Sequence, residues 1–333
     1  MTDATVTRIS VIILTWNGRQ YLKDCLESLA AQTFHNFETI LLDNGSHDGT
    51  EAYVREAFPW VRSIRLPENS GFAAGNNMAF AECRSEFIVT LNNDTMVDSG
   101  FLAELLKSAE ADLQVGMVAA KMLNFFEKDR IDSVGVSVAP NGMGHNIGVG
   151  EQNGGQYDQP SEVFGPCAGA ALYRREMLDE TGFFDPDFFA YYEDLDLAWR
   201  GRLAGWRCVT APGAVVHHVH SASSGRMSEF TVFHTHRNKW FVIIKNWPAS
   251  LIFRQLPLIL AYDAAALLLS VLKGRIRPAL SARFHVLMEL PNLLRKRSQV
   301  AEMRKIPMGN IQQLFVPAAS PLKTLRRKMG SGV

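Results

Sequence analysis

Cysteine is scarce in this 333-residue chain: Cys25, Cys83, Cys167 and Cys208 are its four, and no two form a C-x-x-C pair. A disulfide framework and a zinc knuckle are thereby excluded, and the thiols read as buried groups in a reducing compartment. The sequence also lacks G-x-G-x-x-G and G-x-x-x-x-G-K-[ST], which removes the usual dinucleotide and P-loop readings. Net charge is missing, with 34 Lys plus Arg against 34 Asp plus Glu, so the surface as a whole is not built to bind nucleic acid. MTDATVTRIS has no basic n-region running into an apolar h-region, so no secretory signal is expected and the chain is expected in the cytoplasm. No internal repeat is visible, nor a clean run of about 20 apolar residues.

What is present is unevenly distributed. From Lys273 onward 13 basic residues face only two acids, Glu289 and Glu302, a net +11 that leaves the rest of the chain at −11. An acidic body with a basic end suggests tethering to an anionic partner, most simply a membrane surface. Composition changes after Trp247-Pro248, dividing the chain into 1–247 and a helical, basic 248–333. Within the latter, LPLILAYDAAALLLSVL (256–272) comes nearest to a span, but Arg254, Pro257 and Asp263 interrupt it. A helix lying in the membrane interface or a shallow re-entrant hairpin fits better, with Lys273, Arg275 and Arg277 at the headgroups. A buried helix of a small C-terminal subdomain is the alternative.

The first half alternates strand and helix. Ser10 to Thr15 is an apolar, β-branched run suited to a strand buried on both faces. Leu22, Cys25, Leu26 and Leu29 then fall at helical spacing, and Thr39 to Leu42 return to strand composition. Helices near Glu51–Phe58 and Ala74–Cys83 and strands near Val61–Leu66 and Phe87–Leu91 continue the rhythm. The expectation is an α/β fold with a mostly parallel sheet, helices on both faces, and ligands beyond the carboxyl ends of the strands. The segment 125–163, rich in Gly, Asn, Asp and Gln, reads as loops and hairpins, either a surface excursion or a rim facing a substrate.

Short polar clusters stand at the expected strand ends: Thr15-Trp16-Asn17, Asp43-Asn44 and Asn92-Asn93-Asp94. Asp43 and Asn44 could bond the edge of a base, or serve a local turn. Asp94 follows the buried run FIVTL, where a carboxylate is costly unless paired or bound to a cation; Mg2+ or Mn2+ with a diphosphate would supply one. Glu193, Asp194 and Asp196 lie among aromatic residues, which should drive their pKa values apart and can make a general base; a negatively charged helix N-terminus is the simpler use. At helical spacing Asp196 can pair with Arg200. Five of the nine histidines, including His217, His218 and His220, fall between 217 and 236. On a strand His218 and His220 share a face and His217 takes the other, so one imidazole could complete a metal shell.

In order, SVIILTWNG, LLDNGSHDGT, NSGFAAGNN, LNNDT, GPCAGAALYRRE, GFFDPDFFAYYEDLDLAWR, GW and VVHHVHSASSG resemble the inverting glycosyltransferases of family 2, in their bacterial rhamnosyltransferase-like branch, from about Ile9 to Trp247. The resemblance implies a GT-A fold, a nucleotide-diphosphate-sugar donor, a divalent metal and transfer to a glycan acceptor. It implies donor contacts at Thr15, Asn17, Asp43, Asn44, Asn76, Asn92, Asn93 and Asp94, with Asp94 the one carboxylate of a D-x-D-like motif that meets the metal. Asp194 would be the general base, His217 or His218 a further metal or diphosphate contact, and Gly169, Ala170 and Glu193 the acceptor side. The Q-x-x-R-W motif of processive members is missing, its nearest text being His236-Arg237-Asn238-Lys239-Trp240, so processive polymerisation is not expected. The hydrophobic, basic end points to a polyprenyl-diphosphate-linked saccharide as acceptor and to peripheral association with the inner face of the cell membrane. Two other readings remain: a non-catalytic binding scaffold of the same fold, and a nucleotidyltransferase, for which TWNGRQYL supplies only Arg19.

Overall fold

The computed structural model describes residues 7–219 and 228–318. Strand β1 (Ile9–Thr15) is followed by α1 (Arg19–Ala30), β2 (Phe37–Asp43), α2 (Thr50–Ala57), β3 (Arg62–Arg65), α3 (Gly71–Glu82) and β4 (Phe87–Asn92). Strand alternation explains why these segments are apolar throughout. On β1, Ile9, Val11 and Ile13 enter the core under α1, while Ile12 enters the core on the opposite face of the sheet with Ala73 and Ala79 of α3. The order β3-β2-β1-β4 is parallel, with Thr15 opposite Asp43 and Leu14 opposite Asn92, so the polar clusters share one edge. This edge includes the point where strand order reverses, the place at which open α/β sheets bind ligands.

The second half departs from the parallel expectation. It comprises β5 (Thr95–Val97), α4 (Phe101–Glu110), β6 (Val115–Asn124), three short strands β7 (Ile131–Ser133), β8 (Val136–Val138) and β9 (Gly144–Asn146), then β10 (Ala170–Arg174), α5 (Arg175–Thr181), α6 (Glu193–Leu203) and β11 (Arg207–His218). β10 inserts antiparallel between β4 and β6, and β5 runs antiparallel on the edge of β11. The sheet is therefore mixed. Strand direction depends on where the chain enters the sheet, which composition does not encode.

Four helices complete the main packing: α7 (Glu229–Asn246), α8 (Ala249–Leu272), α9 (Ile276–Met288) and α10 (Leu290–Glu302), followed by the short α11 (Met308–Gln312). The change of composition at Trp247 is not a break in the core, because Leu251, Ile259, Val286, Leu293 and Ile311 belong to the same hydrophobic cluster as Ile12 and Trp199. Charge also crosses the boundary. Lys296 reaches Asp185 at 2.5 Å and Asp187 at 2.6 Å, and Lys305 reaches Glu180 at 2.8 Å. Part of the basic excess thus neutralises the acidic body. α8 is one continuous 24-residue helix through Pro257, longer than the run 256–272. All four cysteines are unpaired, and Cys25, Cys83 and Cys208 are buried.

Candidate active site

A cavity of about 890 Å³ opens at the carboxyl edge of the sheet. Asn44, Asn92, Asn93, Asp94, Gly169, Glu193, Asp194 and His218 line it, together with Trp16 at 45% exposure. The loop after β4 carries Asn93 and Asp94 to one wall. Asn93 donates to Thr15 Oγ1 at 2.9 Å, so Thr15 supports that wall from below. Gly18 makes the approach possible, since a Cβ there would come within 1.9 Å of the Asn93 amide.

His218, last residue of β11, turns to Asp94. Its Nε2 lies 3.3 Å from Asp94 Oδ1, and its Nδ1 donates to Asp132 Oδ2 at 2.6 Å. Burial alone would lower the imidazole pKa, but the hydrogen bonds to Asp132 and Asp94 outweigh it and raise the value to about 9. A carboxylate and an imidazole side by side, with a second carboxylate fixing the far ring nitrogen, fit a hard divalent cation that would displace the proton from His218 Nε2 and fill its other positions with phosphate oxygens and water. Among the described residues no group of three or more His, Cys, Asp or Glu side chains is arranged to hold a metal ion.

The start of α6 supplies another part of the cavity lining. The segment before it is strained: Phe189, Tyr191 and Tyr192 all have positive φ, at 63°, 70° and 70°. Asn238 of α7 holds this segment, its amide reaching the carbonyls of Phe188, Ala190 and Tyr191 at 2.9, 2.9 and 2.7 Å, and Arg237 donates to those of Asp187 and Phe188. Gly71, at φ +86°, admits the Phe189 ring where a Cβ would stand 2.6 Å from it. The result presents Glu193 and Asp194 to the cavity.

The three acids of this helix start separate, as their surroundings require. Burial, then the charge of Asp194, pushes Glu193 well above the usual carboxylate range, and its Oε2 has no hydrogen-bond partner among the described residues. Burial also raises Asp194, against hydrogen bonds from the Ala168 and Leu195 amides. Asp196 goes the other way. Lys245, then Arg200, outweigh its burial and hold it low, at 2.8 and 2.9 Å, so this carboxylate is a structural ion-pair member.

The structure does not bring every expected residue to the cavity. His217 faces the other side of β11, 3.4 Å from Asp98, because adjacent strand residues alternate faces; of the two histidines only His218 reaches Asp94. His220 lies outside the described residues. Ala170 is buried inside β10 opposite Leu91, and Asn76 is buried on α3, where it caps the Phe72 carbonyl. Asp43 is fully buried behind the edge, taking the Ser46 amide on Oδ1, with no partner for Oδ2 among the described residues. Asn44 lines the cavity but spends its amide on Asn69, Ser70 and Gly71. Asn17, at φ 51°, holds the His47 amide and lines a neighbouring shallow depression with Arg19 and Lys23. Asp132 escaped the sequence reading, which named Trp16 and Asn238 only within longer runs and gave neither a role. The only signal for Asp132 was an acid between apolar Ile131 and Val134.

Comparison with known proteins places the chain in a family and a fold. The chain is 28% identical over 255 residues to the N-acetylglucosaminyl-diphospho-decaprenol L-rhamnosyltransferase of Mycobacterium tuberculosis, covering 68% of this chain and 79% of that protein. It is 28% identical to the O-antigen biosynthesis protein RfbC of Myxococcus xanthus over 63% of this chain but 17% of RfbC. Matches to two of the curated relatives thus span a quarter of their length or less. The structure of GalNAc-T7 with UDP, GalNAc and Mn2+ superposes with a TM-score of 0.63 at 15% identity, over 79% of this chain and 52% of that one, which shows the GT-A fold. The family model for glycosyl transferase family 2 matches residues 10–182, a stretch from β1 to α5 that includes Asp43, Asp94 and Gly169, and the chain belongs to that family.

Proposed function

We propose that this protein transfers a sugar, rhamnose by preference, from a nucleotide-diphosphate donor to a hydroxyl of a lipid-linked cell-envelope glycan, with inversion. One observation carries the reading: the carboxyl of Asp194 and the Asp94–His218 pair line the same cavity. Asp94 and His218 would hold a divalent metal, Mg2+ or Mn2+, whose chemistry is to offset negative charge gathering on the departing diphosphate. Trp16 offers a ring face at the cavity rim to the nucleobase. Glu193, kept protonated by burial, donates a hydrogen bond to the acceptor.

Asp194 takes the proton of the acceptor hydroxyl while that oxygen attacks the anomeric carbon from the face opposite the diphosphate. The new C–O bond forms as the anomeric carbon–phosphate oxygen bond breaks, and its electron pair leaves with the nucleoside diphosphate. Because burial raises Asp194 above the ordinary aspartate range, its carboxylate is a stronger base than a solvated aspartate. The donor sugar and the polyprenyl-diphosphate acceptor are inferred from the mycobacterial relative, whose name carries both. Such an acceptor would place the enzyme at the cytoplasmic face of the membrane.

The test is nucleoside-diphosphate release across a panel of nucleotide sugars, with membrane lipid extract, with and without EDTA, in wild type and Asp194→Asn. Release from one donor that EDTA abolishes and the variant lacks is expected, a loss of about 10²–10⁴-fold. Donor binding without turnover would transfer the reading to a non-catalytic scaffold, and absence of donor binding would end both.

A further inference from the structure

The outward side of α8 and α9 is apolar and carries no acid. On α8 the exposed Phe253, Pro257, Leu260, Ala264, Leu268 and Val271 recur every three or four residues. They make one stripe about 27 Å long. On α9 Leu280, Phe284 and Leu287 repeat the pattern, with Phe284 65% and Leu287 68% exposed. The three-residue turn between the helices holds Lys273, and Arg277 begins the α9 stripe; Arg254 stands at the other end of α8.

By length and composition α8 could cross a membrane. Its packing argues otherwise. Asp263, at mid-helix, points inward, accepting from Lys239 at 3.0 Å, Trp240 at 3.0 Å and Arg283 at 2.9 Å, and Leu251, Ile259, Tyr262 and Leu269 are buried along the same inner side. Crossing a bilayer would strip the carboxylate of these partners and expose it to hydrocarbon. A helix apolar outside and anchored inside suits the plane of the interface.

We propose that α8 and α9 together form an in-plane docking surface for an anionic lipid bilayer. Charge selects this occupant over a second copy of the chain. Cations stand at both ends of the α8 stripe, so two copies paired in either direction would bring like charges together, whereas anionic headgroups complement both ends. The same helices lead to the cavity: α9 packs on α7 through Arg283–His236 at 3.2 Å and Phe233–His285, and the first turns of α7 bring Phe230, Thr231 and Thr235 to the cavity wall. Docking therefore sets the acceptor side of the cleft near the lipid, a purpose that rests on the lipid-linked reading, while the surface itself rests on the exposed stripes.

The experiment is flotation of the full chain with vesicles of phosphatidylcholine alone or mixed with phosphatidylglycerol. Wild type should float with the anionic vesicles and be released by alkaline carbonate. Leu260→Glu/Leu268→Glu/Phe284→Glu should weaken flotation by at least about a hundredfold, and Lys273→Glu/Arg277→Glu should abolish the preference for anionic lipid, both retaining wild-type nucleotide binding as evidence of folding. Equal flotation of the triple variant, resistance of wild type to carbonate, or absence of wild-type flotation would overturn the proposal. So would a solution dimer that the triple variant dissociates. Flotation without binding of any donor would leave the surface standing and remove the transferase reading.

Discussion

Individual carboxylates at this site are set apart by their neighbours rather than by their type. Asp194 is raised because burial disfavours its charge, and the sign of that shift has two consequences. The acidic limb of the rate–pH profile should lie above the ordinary aspartate pKa of about 3.9. The stability associated with protonated Asp194 is lost as pH rises through its folded pKa, so Asp194→Asn should melt no lower than wild type at neutral pH while losing transfer. A thermal melt beside the kinetics checks this, and a lower melting temperature would mean the carboxylate supports the fold. Asp132 acts through His218, whose Nδ1 it fixes at 2.6 Å. Asp132→Asn should weaken Mn2+ binding by about 10–100-fold, read by titration monitored with electron paramagnetic resonance. Unchanged affinity would mean that His218 needs no partner to present its other nitrogen.

Among the elements, α7 bears on the chemistry although most of it is far in sequence from the acids. Asn238 is fully buried, and its amide spans three carbonyls of a segment whose aromatic residues occupy left-handed backbone conformations. Asn238→Ala leaves those carbonyls buried without that donor, a cost of about 1–3 kcal/mol. The same change frees the segment that aims Glu193 and Asp194. The expected result is a fall in kcat with donor affinity retained, because the donor wall stands on β1 and β4. Equal losses in kcat and donor binding would show the clamp to be merely structural.

At the scale of the whole molecule, one buried ion cluster joins the two compositional halves. Lys245 lies 2.7 Å from Asp185 and 2.8 Å from Asp196, and Lys296 and Arg200 complete the set. Lys245→Met removes one member and leaves buried carboxylates short of a partner, a cost of about 3–5 kcal/mol in urea denaturation at pH 7. Asp185 and Asp196 are held below their ordinary value, chiefly by Lys245 acting against burial. Their contribution is complete above about pH 4, where the unfolded carboxylates are ionised, and is lost as pH falls through the folded values. Wild type should therefore lose stability more steeply than Lys245→Met below that pH; parallel curves would assign acid unfolding to other groups.

The elements of the first half, and the polar residues at their ends, are legible in the sequence alone. Strand runs such as SVIIL are readable because side-chain alternation is local, and Asp94 and Asp194 are conspicuous because an acid beside a buried run or among aromatics needs a reason to be there. The Asp196–Arg200 pair was legible for the same cause, a four-residue helical spacing. Only the tertiary structure decided what depends on distant chain. The antiparallel insertion of β10, the choice of His218 over His217, the partnership of Asp132 with a histidine 86 residues away and the clamp of Asn238 on the Tyr191 segment all require the sheet to be assembled. The same holds for Asp263, which interrupts an apolar run in sequence and in the fold is the inward anchor that leaves the outer face of α8 wholly apolar between its ends. A residue's local period fixes which way it faces, but what it meets there is set by long-range packing.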